Sequence, residues 1–359
     1  MKKVRYAVVG NGWISQEAFT PSLRQTGNSE VVAIVSGNHE MAQRQAAFHG
    51  IAKVYDYSEY DSMLKSGTVD AVYIALPNSM HADYSMRASA AGVHALVEKP
   101  LATTVAESEA MIAAAAKAGV FLSTAYRLHT DEPTLALYDL VRKGAIGDPR
   151  LFTTIFSFQI VAKNHRLLAK HWGGALQDIG VYCINAMRHV FAAEPLRVAA
   201  FDSMGEDDAR FSEVPATVSA LLRFPGGRIA SFQCSFGADT TDTLTVTGSE
   251  GQITVTNPYR FSQPRTLEIR HGNAVEVRNF PVTDNFSGQA AYFSDCILKG
   301  TKPEPDGEDG LADMIIMLAI EEAVRSGKTQ DLVIPARPHY AETSQMRSFP
   351  LVSHRLVEV

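Results

Sequence analysis

Lys99, Asp178 and Tyr182 are the side chains of this 359-residue chain best placed for chemistry. Lys99 lies in Val97-Glu98-Lys99-Pro100, after the apolar run Gly92 to Val97 that reads as a buried parallel strand. Asp178 and Tyr182 are four residues apart, so they share one face of a helix, and Asn185 follows on that side. An ammonium can hydrogen-bond a reacting oxygen directly. It can also stabilise a neighbouring phenolate, and a phenol with a pKa near ~10 is otherwise a poor base at neutral pH. The chemistry that fits is proton transfer to or from a substrate hydroxyl. Plainer readings also fit: Lys99 as a surface lysine, Asp178 as a helix cap, Tyr182 as a core aromatic with its hydroxyl satisfied.

These groups need strands and helices to place them. Pro100 has no N–H and a fixed φ, so it bends the chain rigidly after Lys99. Thr104 and Glu107 stand at capping-box spacing and start a helix through about Lys117. Upstream, the strand Val4 to Val9 runs into Gly10-Asn11-Gly12-Trp13-Ile14-Ser15 and a helix through about Arg24. Two glycines there permit a tight turn and close approach of a pyrophosphate to the helix N-terminus, and Ser15 is a small third residue. A glycine turn without ligand is the alternative. A second strand, Val31 to Val35, follows at βαβ spacing and ends in Ser36-Gly37-Asn38-His39. No acidic residue comes before Glu40, so small hydroxyl and amide groups, with Arg44 further along, favour NADP over NAD.

The strand Asp70 to Leu76 ends in Pro77-Asn78-Ser79-Met80-His81, which puts His81 at a helix start near the cofactor rather than in a metal site. Val120 to Ala125 ends in Tyr126-Arg127-Leu128-His129, whose Arg127 and His129 are candidates to bind substrate hydroxyls or cofactor. Four strand ends, near residues 10, 76, 99 and 126, thus carry small, polar or charged groups. Right-handed crossovers bring all of them to one edge of a parallel sheet, where ligands bind.

The pattern changes near Asp148-Pro149. Leu151 to Val161 reads as a long strand and Asn164 to Lys170 as a basic loop over the cleft. Gly173-Gly174 leads into the helix of Asp178, which ends near Phe191. From about Leu196 to Ile269 strand-like segments dominate, with Pro225-Gly226-Gly227 as a hairpin turn. One face of such a sheet packs on helices and the other is wet or joins subunits. Glu308 to Gly327 reads as a helix expected to pack back on the first domain. The fold class expected is α/β: an N-terminal Rossmann doubly wound parallel sheet plus a C-terminal α/β domain with an open, mostly antiparallel sheet. The domains expected are 1–125 for the dinucleotide, 126–330 for substrate binding and oligomerisation, and a tail over 331–359.

Composition excludes other classes. Hydrophobic residues make up 46% and charged residues 20%, the balance of a globular protein with a sizeable core. The net charge is −6 with no basic stripe, which argues against nucleic-acid binding. No apolar run approaches the ~20 residues of a membrane span. The basic-then-apolar start is too soon punctuated by glycine for a signal peptide. Cys183, Cys234 and Cys296 are far apart, so they read as free thiols in a cytoplasmic protein, and no zinc spacing is present.

Together, Gly10 to Ser15, Glu98-Lys99-Pro100 and Asp178-Ile179-Gly180-Val181-Tyr182 resemble the Gfo/Idh/MocA family of NAD(P)-dependent oxidoreductases, from about residue 3 to residue 330. Val35 to Asn38, Val72 to Ser79, Tyr126 to His129, and Tyr182 with Asn185 resemble its glucose–fructose oxidoreductase branch most. Many members have histidine at position 182 and aspartate at 185, and tyrosine is the form of that branch. The resemblance implies Lys99 as a catalytic residue, often before a cis proline, and a sheet that forms a homodimer or homotetramer. It implies cofactor contacts along the first-half motifs: Gly10, Asn11, Gly12, Trp13 and Ile14; Ser36, Gly37 and Asn38; Leu76, Asn78 and His81; Glu98, Lys99 and Arg127. That branch's tryptophan–arginine pair, which touches the dinucleotide, has its nearest match in His165-Arg166, so Arg166 joins this set. Its export signal and cofactor-embracing N-terminal arm have no counterpart, which implies a freely exchanging cofactor.

The expected reaction is hydride transfer between nicotinamide C4 of NADP (NAD possible) and a carbinol carbon of a sugar or polyol. Tyr182 or Lys99 moves the proton, Asp178 orients the sugar or Lys99, and Arg127 and His129 bind substrate. The alternatives are a non-catalytic dinucleotide-sensing regulator of the same fold, a structural subunit, or a dihydrodiol-type dehydrogenase. Pocket residues come from loops, so the sequence does not separate the substrates.

Overall fold

The computed structural model describes residues 2–358 in two compact units. The first holds the chain up to Asp131, Thr283–Gly310, and the residues from Gln345 on; the second holds Glu132–Val282 and Leu311–Ser344.

The first unit is built on a six-stranded sheet in the order β3-β2-β1-β4-β5-β6, parallel throughout. The strands are β1 Val4–Val9, β2 Ser29–Val35, β3 Lys53–Tyr55, β4 Ala71–Ile74, β5 His94–Val97 and β6 Leu122–Thr124. Helices cover such a sheet on both faces, which is why β1 and β4 are apolar and almost wholly buried. After β1 the chain turns at Gly10, where φ is +97° and a Cβ would stand 2.5 Å from the Ala75 carbonyl oxygen. Only glycine fits there. A helical stretch follows, opening with a wide turn over Ser15–Phe19 whose Ser15 hydroxyl donates to the Gly10 carbonyl at 2.6 Å. The expected capping box of Thr104 and Glu107 is formed on the helix Val105–Ala118.

A helix outside the expected elements completes this unit. Asn285–Lys299 lies against β1 and β2 through hydroxyls and amides. Ser294 meets the hydroxyls of Tyr6 and Ser29 at 2.9 and 2.8 Å, and Asn28 donates to Asp295 at 2.8 Å.

The second unit carries a nine-stranded sheet in the order β14-β13-β12-β11-β7-β10-β9-β8-β15, antiparallel except where β7 meets β10. Its strands are β7 Pro149–Ser157, β8 Arg197–Ser203, β9 Thr217–Arg223, β10 Ile229–Ser235, β11 Thr241–Gly248, β12 Gln252–Thr256, β13 Arg265–His271, β14 Ala274–Phe280 and β15 Gln330–Asp331. β7 stops four residues short of the expected Val161. Strand structure runs past Ile269 into β14, whose residues are nearly all exposed and so carry no alternation to read. The helix Val181–Phe191 buries almost every side chain, and all three cysteines are buried free thiols. Among the described residues no helix is long and apolar enough to cross a membrane.

The helix Gly307–Ser326 departs from expectation. Only its first turn groups with the first unit, where a Cβ on Gly310 would meet Thr124 and Leu101. The rest belongs to the second unit, where it supplies an acid to a buried cation. The fully buried Arg188 bonds Asp313 at 2.7 Å and Glu194 at 2.6 and 2.9 Å, and Asn185 donates to Asp313 at 3.0 Å. Removing one partner from a buried ion pair costs about 3–5 kcal/mol, so Arg188→Met is expected to lower unfolding stability by that order. Denaturant titration checks this, and an unchanged midpoint would mean the network contributes nothing net.

Candidate active site

The polar strand ends of the first unit do lie side by side, as β1, β4, β5 and β6 are sheet neighbours. At the end of β1 the Asn11 side chain is buried and its Nδ2 has no hydrogen-bond partner. Beside it a Cβ on Gly12 would meet nothing within 4 Å, and Trp13 is 43% exposed. An unmatched donor next to open space at a helix start suits a phosphate-bearing ligand. At the end of β2, Asn38 Oδ1 accepts from the Met41 N–H at 3.1 Å and caps the helix His39–His49. The Asn38 N–H in turn donates to the Ser36 hydroxyl at 3.2 Å, and Gly37 packs under the Tyr57 ring. Arg44 is paired with Glu40 at 2.7 Å and with Glu358 at 2.8 Å.

β4 and β5 are tied together at their ends. The Tyr73 hydroxyl donates to Glu98 at 2.6 Å, and the Tyr73 ring stacks on Phe19 at 3.6 Å. His81, fully buried, sets Nδ1 2.9 Å from the Pro100 carbonyl and Nε2 2.9 Å from the Leu76 carbonyl. The ring therefore lies between the end of β4 and Pro100, the residue after Lys99, which is itself half-buried before a cis Lys99–Pro100 bond. Burial, the largest influence, pulls the His81 pKa below the ordinary imidazole value; the two carbonyls oppose it and the Lys99 charge reinforces it.

The end of β6 forms a buried network of its own. Arg127 donates to Asn285 at 3.0 Å, Asn285 donates to Asp131 at 2.6 Å, and Arg127 lies over the Phe286 ring. His129 sits 3.3 Å from Glu304, with a ligand-type oxygen of Asp309 also within 4.8 Å. The sequence reading found no partner for this histidine, because Glu304 and Asp309 are remote in the chain.

In the second unit Asp178 lies on a wide turn, Leu176–Gly180, that leads into the helix of Tyr182. Arg166 pairs with Asp178 at 3.1 Å. Gly173 permits this, since a Cβ there would stand 2.3 Å from the Arg166 carbonyl. The same segment is pinned by Glu321, which accepts from Trp172 Nε1 at 2.9 Å and Gln177 Nε2 at 2.6 Å. Burial raises the Glu321 carboxyl above its ordinary value, and both donors oppose this. The half-buried Tyr182 ring has its centroid 6.2 Å from those of Phe156 and Tyr259. Asn185, expected on the same side, turns to Asp313 instead. Nothing in the sequence marked Tyr73, Trp172 or Glu321, whose partners are remote in the chain.

A parallel sheet with a glycine turn and a row of polar strand ends defines a nucleotide-binding oxidoreductase of Rossmann type. Residues 4–126 match the oxidoreductase family with NAD-binding Rossmann fold, and residues 134–254 match the GFO/IDH/MocA C-terminal domain. The chain belongs to the GFO/IDH/MocA oxidoreductase family. It is 30% identical to D-xylose 1-dehydrogenase [NADP(+)] of Haloarcula marismortui, covering 91% of this chain and 92% of that one. It is 30% identical to mouse (Mus musculus) trans-1,2-dihydrobenzene-1,2-diol dehydrogenase over 84% of this chain and 90% of that one. Among solved structures, aldose-aldose oxidoreductase from Caulobacter crescentus, complexed with glycerol, is 34% identical with a TM-score of 0.88, covering 92% of this chain and all of that one.

A neutral His81 ring has one N–H, so it donates to one of the Pro100 and Leu76 carbonyls, and removing the ring strands that carbonyl. His81→Ala is expected to cost about 1–3 kcal/mol of stability. With the end of β5 loosened, kcat should fall on the order of 10²-fold. A neutral buried histidine contributes stability above its unfolded pKa of about 6.5, and that is lost as pH falls through the lower folded value. Melting curves from pH 7 down to pH 4 should therefore fall more steeply for the wild-type chain than for the variant. Parallel slopes would contradict a neutral ring.

Proposed function

We propose that the chain transfers a hydride between NADP(H) and a carbinol or carbonyl carbon of a sugar or related polyol. The observation that carries this reading is the likeness, over nearly the whole chain, to aldose-aldose oxidoreductase. The NADP-named xylose dehydrogenase supports the cofactor, as does a β2 end that offers Ser36, Gly37 and Asn38 with no acid before Glu40.

In this reading Gly10, Asn11, Gly12, Trp13 and Ile14 hold the pyrophosphate. Ser36, Gly37 and Asn38 hold the adenosine ribose and its phosphate, while Leu76, Asn78 and Glu98 border the nicotinamide half. The bound dinucleotide supplies a hydride donor or acceptor at nicotinamide C4. Lys99 hydrogen-bonds the substrate oxygen and holds positive charge beside it. Tyr182 gives or takes the hydroxyl proton at its phenol oxygen, a transfer that the Lys99 charge assists. Asp178 orients the substrate, and Arg166 acts by fixing Asp178. Arg127 and His129 hold the end of β6. We place self-association, as a homodimer or homotetramer, on the outer face of the second sheet, where Leu151, Leu221 and Phe201 are exposed.

Positioned acid–base groups contribute about 10²–10⁴-fold, so Lys99→Met and Tyr182→Phe should each lose turnover on that order while still binding NADPH. Nicotinamide absorbance with a panel of aldoses, ketoses and diols, offered with both NADP and NAD, supplies the matched substrate. Turnover that survives either substitution would overturn the assignment. A second reading, oxidation of a dihydrodiol, is favoured by the mouse relative; activity with the diol and none with any sugar would select it.

A further inference from the structure

The glycine turn is wired to a distant part of the chain by one buried side chain. Gln16 is fully buried one turn past Gly12, and its Nε2 donates to the Asn11 carbonyl at 2.7 Å. Its Oε1 accepts from the Glu358 N–H at 2.8 Å and from Gln45 Nε2 at 3.2 Å. Gln45 Nε2 also donates to the Leu356 carbonyl at 2.9 Å. Three side-chain contacts hold the same segment in place: Glu358 with Arg44, Arg355 with Glu17, and the His354 ring stacked on Phe48 at 4.2 Å.

We propose that residues 354–358 are a positioning element of the dinucleotide site, setting the Gly10-Asn11-Gly12 turn through Gln16. The argument is one of donors and acceptors. A primary amide has one oxygen and one NH2, and reversing it exchanges them. The Glu358 N–H is a donor and so fixes the Gln16 oxygen on its side. The NH2 must then face the Asn11 carbonyl. Without that N–H the Gln16 oxygen keeps only the longer contact from Gln45, which the Leu356 carbonyl of the same segment holds, and the donor to the Asn11 carbonyl is less firmly fixed. The unpartnered Asn11 Nδ2 belongs to the residue so held, and Gly12 beside it faces open space. Segment 354–358 thus acts on cofactor binding without touching the cofactor. The proposal rests on the reading that this turn binds NADP(H).

Three variants of the full chain test it. Glu358→Ala keeps the N–H and loses the carboxylate; Glu358→Pro loses both; Gln16→Met cuts the relay at its centre. NADPH fluorescence titration and the KM for NADP should show affinity falling about fivefold or more for Glu358→Pro and Gln16→Met, and less for Glu358→Ala. Turnover at saturating NADP should hold within about twofold in all three, because the relay acts on binding and not on the chemical step. An unchanged NADPH affinity in Glu358→Pro overturns the proposal. So does lowered turnover at unchanged KM, the mark of a merely structural role. Wild-type protein that binds no NADPH would sink the functional reading itself, and this inference with it.

Discussion

The active edge depends on a single requirement: polar groups buried where parallel strands stop must find partners. Strands β4 and β5 run side by side and end within a few residues of one another. Their free backbone groups cannot pair with each other once the strands diverge. His81 answers part of this: its ring nitrogens lie 2.9 Å from the Leu76 and Pro100 carbonyls, and the single N–H of the neutral ring serves one of them. Tyr73 does the same for the Glu98 carboxylate. Lys99 lies between these two fixed points, so its placement follows from the satisfaction of its neighbours.

The second unit obeys the same rule with charge. Arg188 lies fully buried in the last turn of the helix Val181–Phe191 and is matched by Glu194 and Asp313. Asp313 ties the helix Gly307–Ser326 into this unit, together with its buried Met314, Ile316, Met317 and Ile320. Asp178 is held by Arg166, and Trp172 and Gln177 just before it are held by Glu321, so the loop leading into the Tyr182 helix is fixed by an ion pair and charged hydrogen bonds.

What could be read beforehand follows from these forces. Parallel strands buried on both faces must be continuous apolar runs, so β1, β4 and β5 and the polar residues that end them were legible. The glycine turn and the Thr104–Glu107 cap were legible because backbone geometry demands particular residue types there. The helix Asn285–Lys299 went unread although Phe286, Ala290, Phe293 and Ile297 stand at helical spacing; its hydroxyl contacts to β1 and β2 are set by folding. The partners of Asp178 and His129 were equally hidden. Glu304 for His129 and Arg166 for Asp178 are set by folding and not by any local pattern. The resemblance named the chemistry, but the residues that hold it in place came from the coordinates.

The most direct measurement is deuterium transfer. Full-length protein is incubated with NADP⁺ and sugars deuterated at every carbinol carbon, and the reduced cofactor is examined by mass spectrometry and NMR. Hydride transfer from a sugar carbinol predicts one deuterium at nicotinamide C4. Bound NADP⁺ that acquires no label from any sugar of the panel would contradict it.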